Sequence, residues 1–342
     1  MRRTLIVIAI VIVLAGAGAA AYFYFFAGKA SLSVAPAGSA SLPAAGGAVQ
    51  TPAGDGTEAS ATIIPSAGSA APIAARLVKI NAGPVVPGIV VISKPTTASS
   101  SAITTVHYIE RQSGNVYSYS VTTGTNTRTS NRTVPGIQSA SWLPDASVAF
   151  VQYLSGADYT TVNSYALSAD GSGGFFLSQN LSDISVSSTS ILTLSSGVNG
   201  SIASLSRADG TRLSEIFTTP LSSLHIAFAG KNQYLAYTKP SARIPGSAFL
   251  IDSAGRFSKV AGPRSGLVAK ASPSGKWALV SHTNGGTMQM SLVNTTTGDL
   301  LPLPVATIAD KCVWTADDSA IYCGVPMSPS PNFNYPDDWY QG

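Results

Sequence analysis

The sequence predicts an all-β fold, a β-propeller built from four-stranded blades, and three observations lead to this prediction. A hairpin-like segment recurs every 43 residues, and a second strand–turn segment lies between successive hairpins. Beyond residue 26, no stretch has the apolar periodicity of an amphipathic helix. Short strands at a regular spacing, with turn signals between them, are typical of repeated β-sheets.

The first repeated element is clearest at residues 270–282. Pro273 presets one φ of a tight turn and Gly275 tolerates a positive φ, which predicts a turn over residues 272–275. Residues 277–280 then predict a short strand of aromatic and apolar side chains. The same phase occurs at residues 105–108 (the second strand only), 141–153, 184–196, 227–239 and 313–325.

The second repeated element is a strand followed by a turn that ends in glycine. A tight hairpin turn needs a residue that tolerates a positive φ, and glycine does so without a steric penalty. Each unit of about 43 residues therefore holds four short strands, which is the period of a propeller blade. A Ser/Thr-rich β-solenoid or a β-sandwich is the alternative, although solenoid repeats are usually shorter and sandwiches lack a fixed register. The turns end at Gly124, Gly171, Gly210, Gly255 and Gly298.

Several of these segments resemble a known repeat. The run Ser272-Pro-Ser-Gly-Lys-Trp277, and more loosely Leu143-Pro-Asp145 and Thr315-Ala-Asp-Asp-Ser319, resembles the hairpin of WD40-like repeats in TolB-type propellers of bacterial envelopes. Residues 105–117 and 128–137 are similar to uncharacterised bacterial propellers that carry one N-terminal membrane anchor. The likeness covers roughly residue 76 to the end. It implies the fold and says little about function, because propellers host many unrelated activities.

The N-terminal residues predict a membrane anchor and a linker. Residues 4–26 carry no charge, and at about 1.5 Å per residue they are long enough for a bilayer core of roughly 30 Å. Arg2 and Arg3 would hold residues 1–3 in the cytoplasm, so the rest of the chain would be extracytoplasmic. A cleaved signal peptide is the alternative, because the apolar run contains small residues suited to cleavage. Residues 27–75 are mostly Ala, Gly, Ser and Pro, which predicts a disordered linker.

We expect the propeller to occupy residues 76–342 and to be incomplete at its C-terminal end. Residues 77–80 are the candidate for a strand that closes the last blade. The chain ends about where the third strand of a sixth blade would begin. A six-bladed ring with a poorly formed last blade fits this end, and so does a fragment of a larger ring. The resembling family has seven blades, which favours the fragment.

The composition argues against nucleic-acid binding, and the motifs assign the chain to no enzyme class. Charged residues make up 11% of the chain and the formal net charge is +4, without a basic run or an aromatic–basic stripe. No nucleophile elbow, zinc-protease motif or phosphate loop occurs, so we assign no catalytic residue, no metal ligand and no cofactor. His107, His225 and His282 fall in different blades, and a structural or surface role is the simpler interpretation of each.

The chain has two cysteines, Cys312 and Cys323, both in the last hairpin. A turn centred on Asp317 and Asp318 places the two cysteines opposite each other on adjacent strands, where Cβ atoms lie about 4.5–5.5 Å apart. We therefore expect a cross-strand disulfide in an extracytoplasmic chain. Two buried free thiols or a metal pair are the alternatives.

The candidate binding site is the loop after the sixth hairpin. Loops between the second and third strands of the blades gather on one face of a propeller, and exposed aromatic rings beside carboxylates suit a glycan or peptide contact. The alternative is that Trp339 and Tyr340 begin the next strand and are buried. The candidate residues are Phe333, Tyr335, Asp337, Asp338, Trp339 and Tyr340.

The function that these features favour is a membrane-anchored, non-catalytic platform that binds an envelope protein or a cell-wall glycan. A propeller hydrolase or lyase acting on glycans would need carboxylates or histidines to converge in the central channel. The inner strands, at residues 138–140, 270–271 and 311, offer few carboxylates. A purely structural envelope component is the third hypothesis.

Overall fold

Antiparallel strands joined by short turns make up nearly all of the described chain. The computed structural model describes residues 78–96, 99–326 and 336–337. Over these residues it has one complete helical element, a short 3-10 turn, Ala309–Lys311, and no helix there has the length and apolar character needed to cross a membrane. The predicted anchor at residues 4–26 and the predicted linker at 27–75 lie outside the described residues.

The strands form five four-stranded sheets, called blades 1 to 5, and one two-stranded sheet, called the sixth hairpin. Blade 1 contains β1 (Val90–Thr96), β2 (Ser99–Ile109), β3 (Val116–Ser120) and β4 (Asn126–Arg128). Blade 2 contains β5 (Ile137–Trp142), β6 (Val148–Ser155), β7 (Thr161–Ser168) and β8 (Gly174–Phe176). Blade 3 contains β9 (Leu181–Val186), β10 (Ser190–Gly197), β11 (Gly200–Arg207) and β12 (Ser214–Thr219).

The remaining strands continue the same pattern. Blade 4 contains β13 (Leu224–Phe228), β14 (Gln233–Thr238), β15 (Gly246–Asp252) and β16 (Phe257–Arg264). Blade 5 contains β17 (Val268–Ala271), β18 (Trp277–Asn284), β19 (Thr287–Asn294) and β20 (Leu300–Leu303). The sixth hairpin consists of β21 (Cys312–Trp314) and β22 (Ile321–Cys323).

The predicted all-β architecture of four-stranded blades is confirmed. Strands within each blade pair in sequence order and antiparallel, and each predicted hairpin joins the first strand of a sheet to its second. The glycine of each strand–turn segment has a positive φ, as the turn chemistry predicted. Five blades are complete, and the described residues supply two strands of the sixth. Trp339 and Tyr340, which the alternative interpretation places at the start of the next strand, lie outside the described residues.

Hydrogen bonds join the first strand of one sheet to the first strand of the next. The first strand of each blade pairs only with the second strand, so its other edge has no strand partner. Side chains of the preceding blade satisfy some of these backbone groups, as buried polar groups require. Ser141 Oγ donates to the Ile184 carbonyl at 3.1 Å. Lys270 Nζ donates to the Cys312 carbonyl at 2.6 Å. These bonds set the first strands of consecutive sheets side by side.

The hydrophobic core lies between the blades, and its pattern differs from a strict 43-residue repeat. Phe150 of blade 2 packs forward against Ile184 and Ile191 of blade 3. In blade 3 the residues that pack forward, against blade 4, are Leu192 and Leu194. The residue 43 positions after Phe150 is number 193. It lies between Leu192 and Leu194 in β10, so its side chain points to the opposite side of the sheet from theirs. A shift of one residue turns every side chain of a strand to its other face. The strands therefore recur at the predicted spacing, but the residues that pack against the next blade do not recur at that spacing.

The predicted closing strand at residues 77–80 is not a strand over its described part, residues 78–80. The Ile80 carbonyl instead accepts a hydrogen bond from Asn126 Nδ2 in blade 1. Farther along, Val86 is buried and its N–H donates to the Ile109 carbonyl. The segment lies against blade 1, which already has four strands of its own.

Candidate binding pocket

A pocket of about 870 Å³ lies beside blade 4. Because the strands of a blade run antiparallel in sequence order, its second-to-third-strand loop and the connections between blades emerge at the same end of the sheet. In blade 4 these are residues 239–245 and 221–223, and both line the pocket. The lining residues are Leu221, Ser222, Ser223, His225, Tyr237, Thr238, Lys239, Pro240, Ser241, Ile244, Pro245, Asp310 and Asp337.

The loop over residues 239–245 owes its form to two prolines and a glycine. Pro240 and Pro245 have no N–H to donate to a strand ladder, so β14 ends before the first and β15 begins after the second. At the base of the loop, a Cβ on Gly246 would overlap Thr238 Oγ1. The same Thr238 hydroxyl accepts the Ser247 N–H at 3.0 Å. These contacts close the base of the loop beside the pocket.

His225, which lines the pocket, forms a polar pair with Asp183 of the neighbouring blade. His225 Nδ1 lies 3.3 Å from Asp183 Oδ2, and that oxygen also accepts the Ile226 N–H at 2.8 Å. The His225 ring lies against the Tyr237 ring, with centroids 5.2 Å apart and planes inclined by 30°. Its side chain is 40% exposed. His225 and Tyr237 therefore present an aromatic surface with a hydrogen-bonding edge to the pocket.

Two further charged groups lie near the pocket, on the side of blade 5 and the sixth hairpin. Burial lowers the pKa of Lys270, and the negative charge of Asp310 partly opposes this shift. Lys270 Nζ is already hydrogen-bonded to the Cys312 carbonyl, so its charge serves the contact between blade 5 and the sixth hairpin. Asp310 lines the pocket and is exposed.

Among the six candidate residues named from the sequence, the structure describes Asp337. Its Oδ1 accepts the Ala242 N–H at 3.1 Å, so the chain after the sixth hairpin reaches the loop of blade 4. Asp337 also lines the pocket, and Pro336 beside it is buried. The other five candidate residues lie outside the described residues and stay predictions: Phe333, Tyr335, Asp338, Trp339 and Tyr340.

Sequence reasoning missed the His225–Asp183 pair. It interpreted His225 as an isolated residue and found few carboxylates on the inner strands, whereas Asp183 lies on β9 and contacts β13. The available signal was the separation of 42 residues, which places the two residues on the first strands of consecutive repeats. One residue type at each end of that spacing is too weak a pattern to select without coordinates.

The other two histidines lie elsewhere. The pKa of His107 is lowered by burial and then by the Lys94 charge, and its ring centroid lies 6.4 Å from that of Trp142. The pKa of His282 is lowered by burial and then by Arg264, whose Nη1 lies 3.0 Å from His282 Nε2. Within the described part of the chain, no three His, Cys, Asp or Glu side chains come together as metal ligands would.

In the sixth hairpin, Cys312 and Cys323 are register partners on β21 and β22. Their sulfur atoms are bonded, with an S–S distance of 2.07 Å. The disulfide lies on the side of the hairpin that packs against blade 5, because both residues belong to the hydrophobic cluster of that blade.

Comparisons with known proteins find similarity in structure alone. No protein family model matches the chain, and no curated protein matches it in sequence. An oligogalacturonate lyase in complex with manganese is 11% identical, with 71% of this chain and 80% of that chain covered and a TM-score of 0.48. TolB from Acinetobacter baumannii is 13% identical over 60% of this chain and 53% of that chain, with a TM-score of 0.42. Hydrazine synthase from Kuenenia stuttgartiensis is 16% identical over 74% and 77%, with a TM-score of 0.48.

At these identities and TM-scores the comparisons carry no argument about activity or ligand. What defines the architecture is the chain's own set of consecutive four-stranded sheets. The chain is an all-β propeller, similar to TolB-type propellers in fold.

Proposed function

We propose that this chain is a membrane-anchored, extracytoplasmic propeller that binds an envelope protein or a cell-wall glycan in the pocket beside blade 4, without transforming it. The anchor is the apolar stretch at residues 4–26, and residues 27–75 form the tether. As a flexible coil, the tether would let the propeller reach about 40 Å from the membrane.

The pocket is the observation that carries this proposal. Its volume of about 870 Å³ suits a short peptide or a few sugar units. Apolar side chains form much of its rim, and the His225 and Tyr237 rings offer a stacking surface. The hydroxyls of Ser222, Ser223 and Ser241 add hydrogen-bonding groups of either polarity, which a glycan or a peptide backbone can use.

In this proposal the polar pair serves recognition. Asp183 Oδ2 accepts the Ile226 N–H and contacts His225, so this carboxylate joins two blades and holds the His225 ring beside Tyr237. The disulfide between Cys312 and Cys323 supports an extracytoplasmic location, because disulfides persist in oxidising compartments.

The test uses the full-length chain in detergent and a substitution at the pocket rim. Ile244 is 70% exposed, so Ile244→Asp should leave the fold intact while it removes apolar contact area. Leu213→Asp is the matched control, because Leu213 is similarly exposed and lies in the β11–β12 turn, outside this pocket. The probes are purified cell-wall sacculi, assayed by co-sedimentation, and envelope proteins cross-linked to the chain in cells.

We expect wild type and Leu213→Asp to bind one of the two probes alike. Ile244→Asp should bind it at least about tenfold more weakly, as expected for a central contact worth about 1.4 kcal/mol or more. Equal binding by all three proteins, or no binding by any, would overturn the proposal. Release of soluble sugar from sacculi by wild type, lost in Ile244→Asp, would show the glycan-cleaving alternative to be correct.

A further inference from the structure

The sixth hairpin has one covered side and one open side. Cys312, Trp314, Ile321 and Cys323 belong to the covered side and pack against the core of blade 5. The opposite side carries Val313 and Tyr322, which are register partners and therefore lie together. Val313 is 56% exposed and Tyr322 is 66% exposed. We call this open side the terminal face.

In blades 2 and 5 the residues on this side of the second strand are buried by the next sheet. Leu279 of blade 5 is fully buried, and its register partner Lys270 donates to the Cys312 carbonyl, so this side faces the sixth hairpin. Phe150 is fully buried as well, against blade 3. The terminal face thus corresponds to the side of a blade that packs against the next blade in the chain.

Blade 1 presents the other half of that interface. Val90 and Ile92 pack against the core shared with blade 2. Val91 lies between them in β1, so its side chain points to the opposite side of the sheet. Val91 is 54% exposed, and its register partner Val106 lies on the same side. We call this side, which looks toward a preceding blade, the initial face.

We propose that the terminal face of one chain packs against the initial face of a second copy, so that this protein self-associates head to tail. Both faces expose β-branched or aromatic side chains on the same molecule. The interface that they would form repeats the blade-to-blade packing of the propeller. In this arrangement the two surfaces in contact differ, which makes the interface heterologous and produces rings or open chains of subunits.

The terminal face is smaller than an internal blade face, because the described residues give it two strands instead of four. The association should therefore be weak and concentration-dependent. Subunits joined in a row on the membrane would present several pockets to one ligand, and this multivalency would strengthen binding. The proposal stands independently of what the pocket binds.

The test is sedimentation velocity of the full-length chain in detergent, with the variants Val91→Glu and Tyr322→Glu. Each variant blocks one face and leaves the other intact. Wild type should increase in mass with concentration beyond a dimer, whereas each variant alone should remain a monomer. An equimolar mixture of the two should form a one-to-one dimer, because the intact terminal face of one meets the intact initial face of the other.

Val198→Glu is the matched control, since Val198 is fully exposed in the β10–β11 turn and lies on neither face. It should associate as wild type does. The dimer in the mixture also shows that both blocked variants are folded. A wild type that stays monomeric at every concentration would overturn the proposal. So would association that survives in the single variants, which would place the contact outside the two faces.

A cysteine pair separates this arrangement from closure within one chain. Under mild oxidation, Val91→Cys and Tyr322→Cys on separate, differently tagged chains should give a disulfide-linked heterodimer. If the doubly substituted chain instead forms the bond internally and the mixed single variants give no heterodimer, the two faces meet within one molecule and self-association is wrong.

Discussion

At the scale of single residues, the Asp183 carboxylate joins two blades next to His225, which lines the pocket. It receives the Ile226 N–H from the open edge of β13 and holds His225 beside Tyr237. An edge N–H of this kind has no strand partner, so the side chain takes the place of a neighbouring strand. One residue therefore links the packing of the inner strands to the shape of the pocket.

We predict that Asp183→Ala destabilises the propeller by about 1–3 kcal/mol, because it leaves the partly buried Ile226 N–H unpaired. The measurement is denaturant-induced unfolding of the full-length chain. Asp158→Ala is the matched control, since Asp158 is exposed in the β6–β7 loop and should change stability by less than about 0.5 kcal/mol. Equal midpoints for the two variants would show that the Asp183 bonds contribute nothing to stability.

At the scale of elements, the first turns of neighbouring blades touch each other. Gly230 in blade 4 and Gly275 in blade 5 both have φ near +75°, at +75° and +76°. A Cβ on Gly275 would lie 2.5 Å from the Ala229 carbonyl oxygen, and a Cβ on Gly230 would lie 2.5 Å from that of Ser274. These glycines therefore serve the contact between blades as well as the turns themselves.

The substitution Gly275→Ala should cost more than the turn alone explains. Gly298 has φ of +77° with open space around it, so Gly298→Ala reports the backbone strain by itself, about 1 kcal/mol. Gly275→Ala adds a clash with the next blade, and we expect a further loss of about 1–3 kcal/mol. The free energy of unfolding of both variants checks this difference. If the two variants are equally stable, the turns do not constrain blade packing.

The turn chemistry was readable from the sequence, and the faces of the strands were not. Pro273 and Gly275 mark their turn by residue type alone, and the strands on either side follow from the apolar runs. The burial of Leu192 and Leu194 toward blade 4 depends on a one-residue shift relative to Phe150. Such a shift follows from how the connections pack, and nothing in an apolar run records which of two faces it will bury.

At the scale of the whole molecule, location and disulfide chemistry belong together. The proposed anchor at residues 4–26 would place the sixth hairpin outside the cytoplasm. That compartment allows the bond between Cys312 and Cys323 to persist, whereas a reducing cytoplasm would not.

We predict that protease added to spheroplasts removes a C-terminal tag without lysis. Thiol reagents should label the chain only after reduction, because both cysteines are in the disulfide. Immunoblots before and after lysis measure the first result, and a gel shift with a bulky maleimide measures the second. A tag that external protease reaches only after lysis would contradict the proposed topology.

The sequence by itself determined the class of the fold and the number of strands in each blade. Local turn chemistry repeated at a constant spacing is enough for that, since a turn depends on the few residues that form it. Only the tertiary structure decided which side chains meet. Asp183 and His225 come from different blades, and Asp337 reaches the blade 4 loop at Ala242, 95 residues away. Contacts of this range depend on how the sheets are set against one another, which no local pattern encodes.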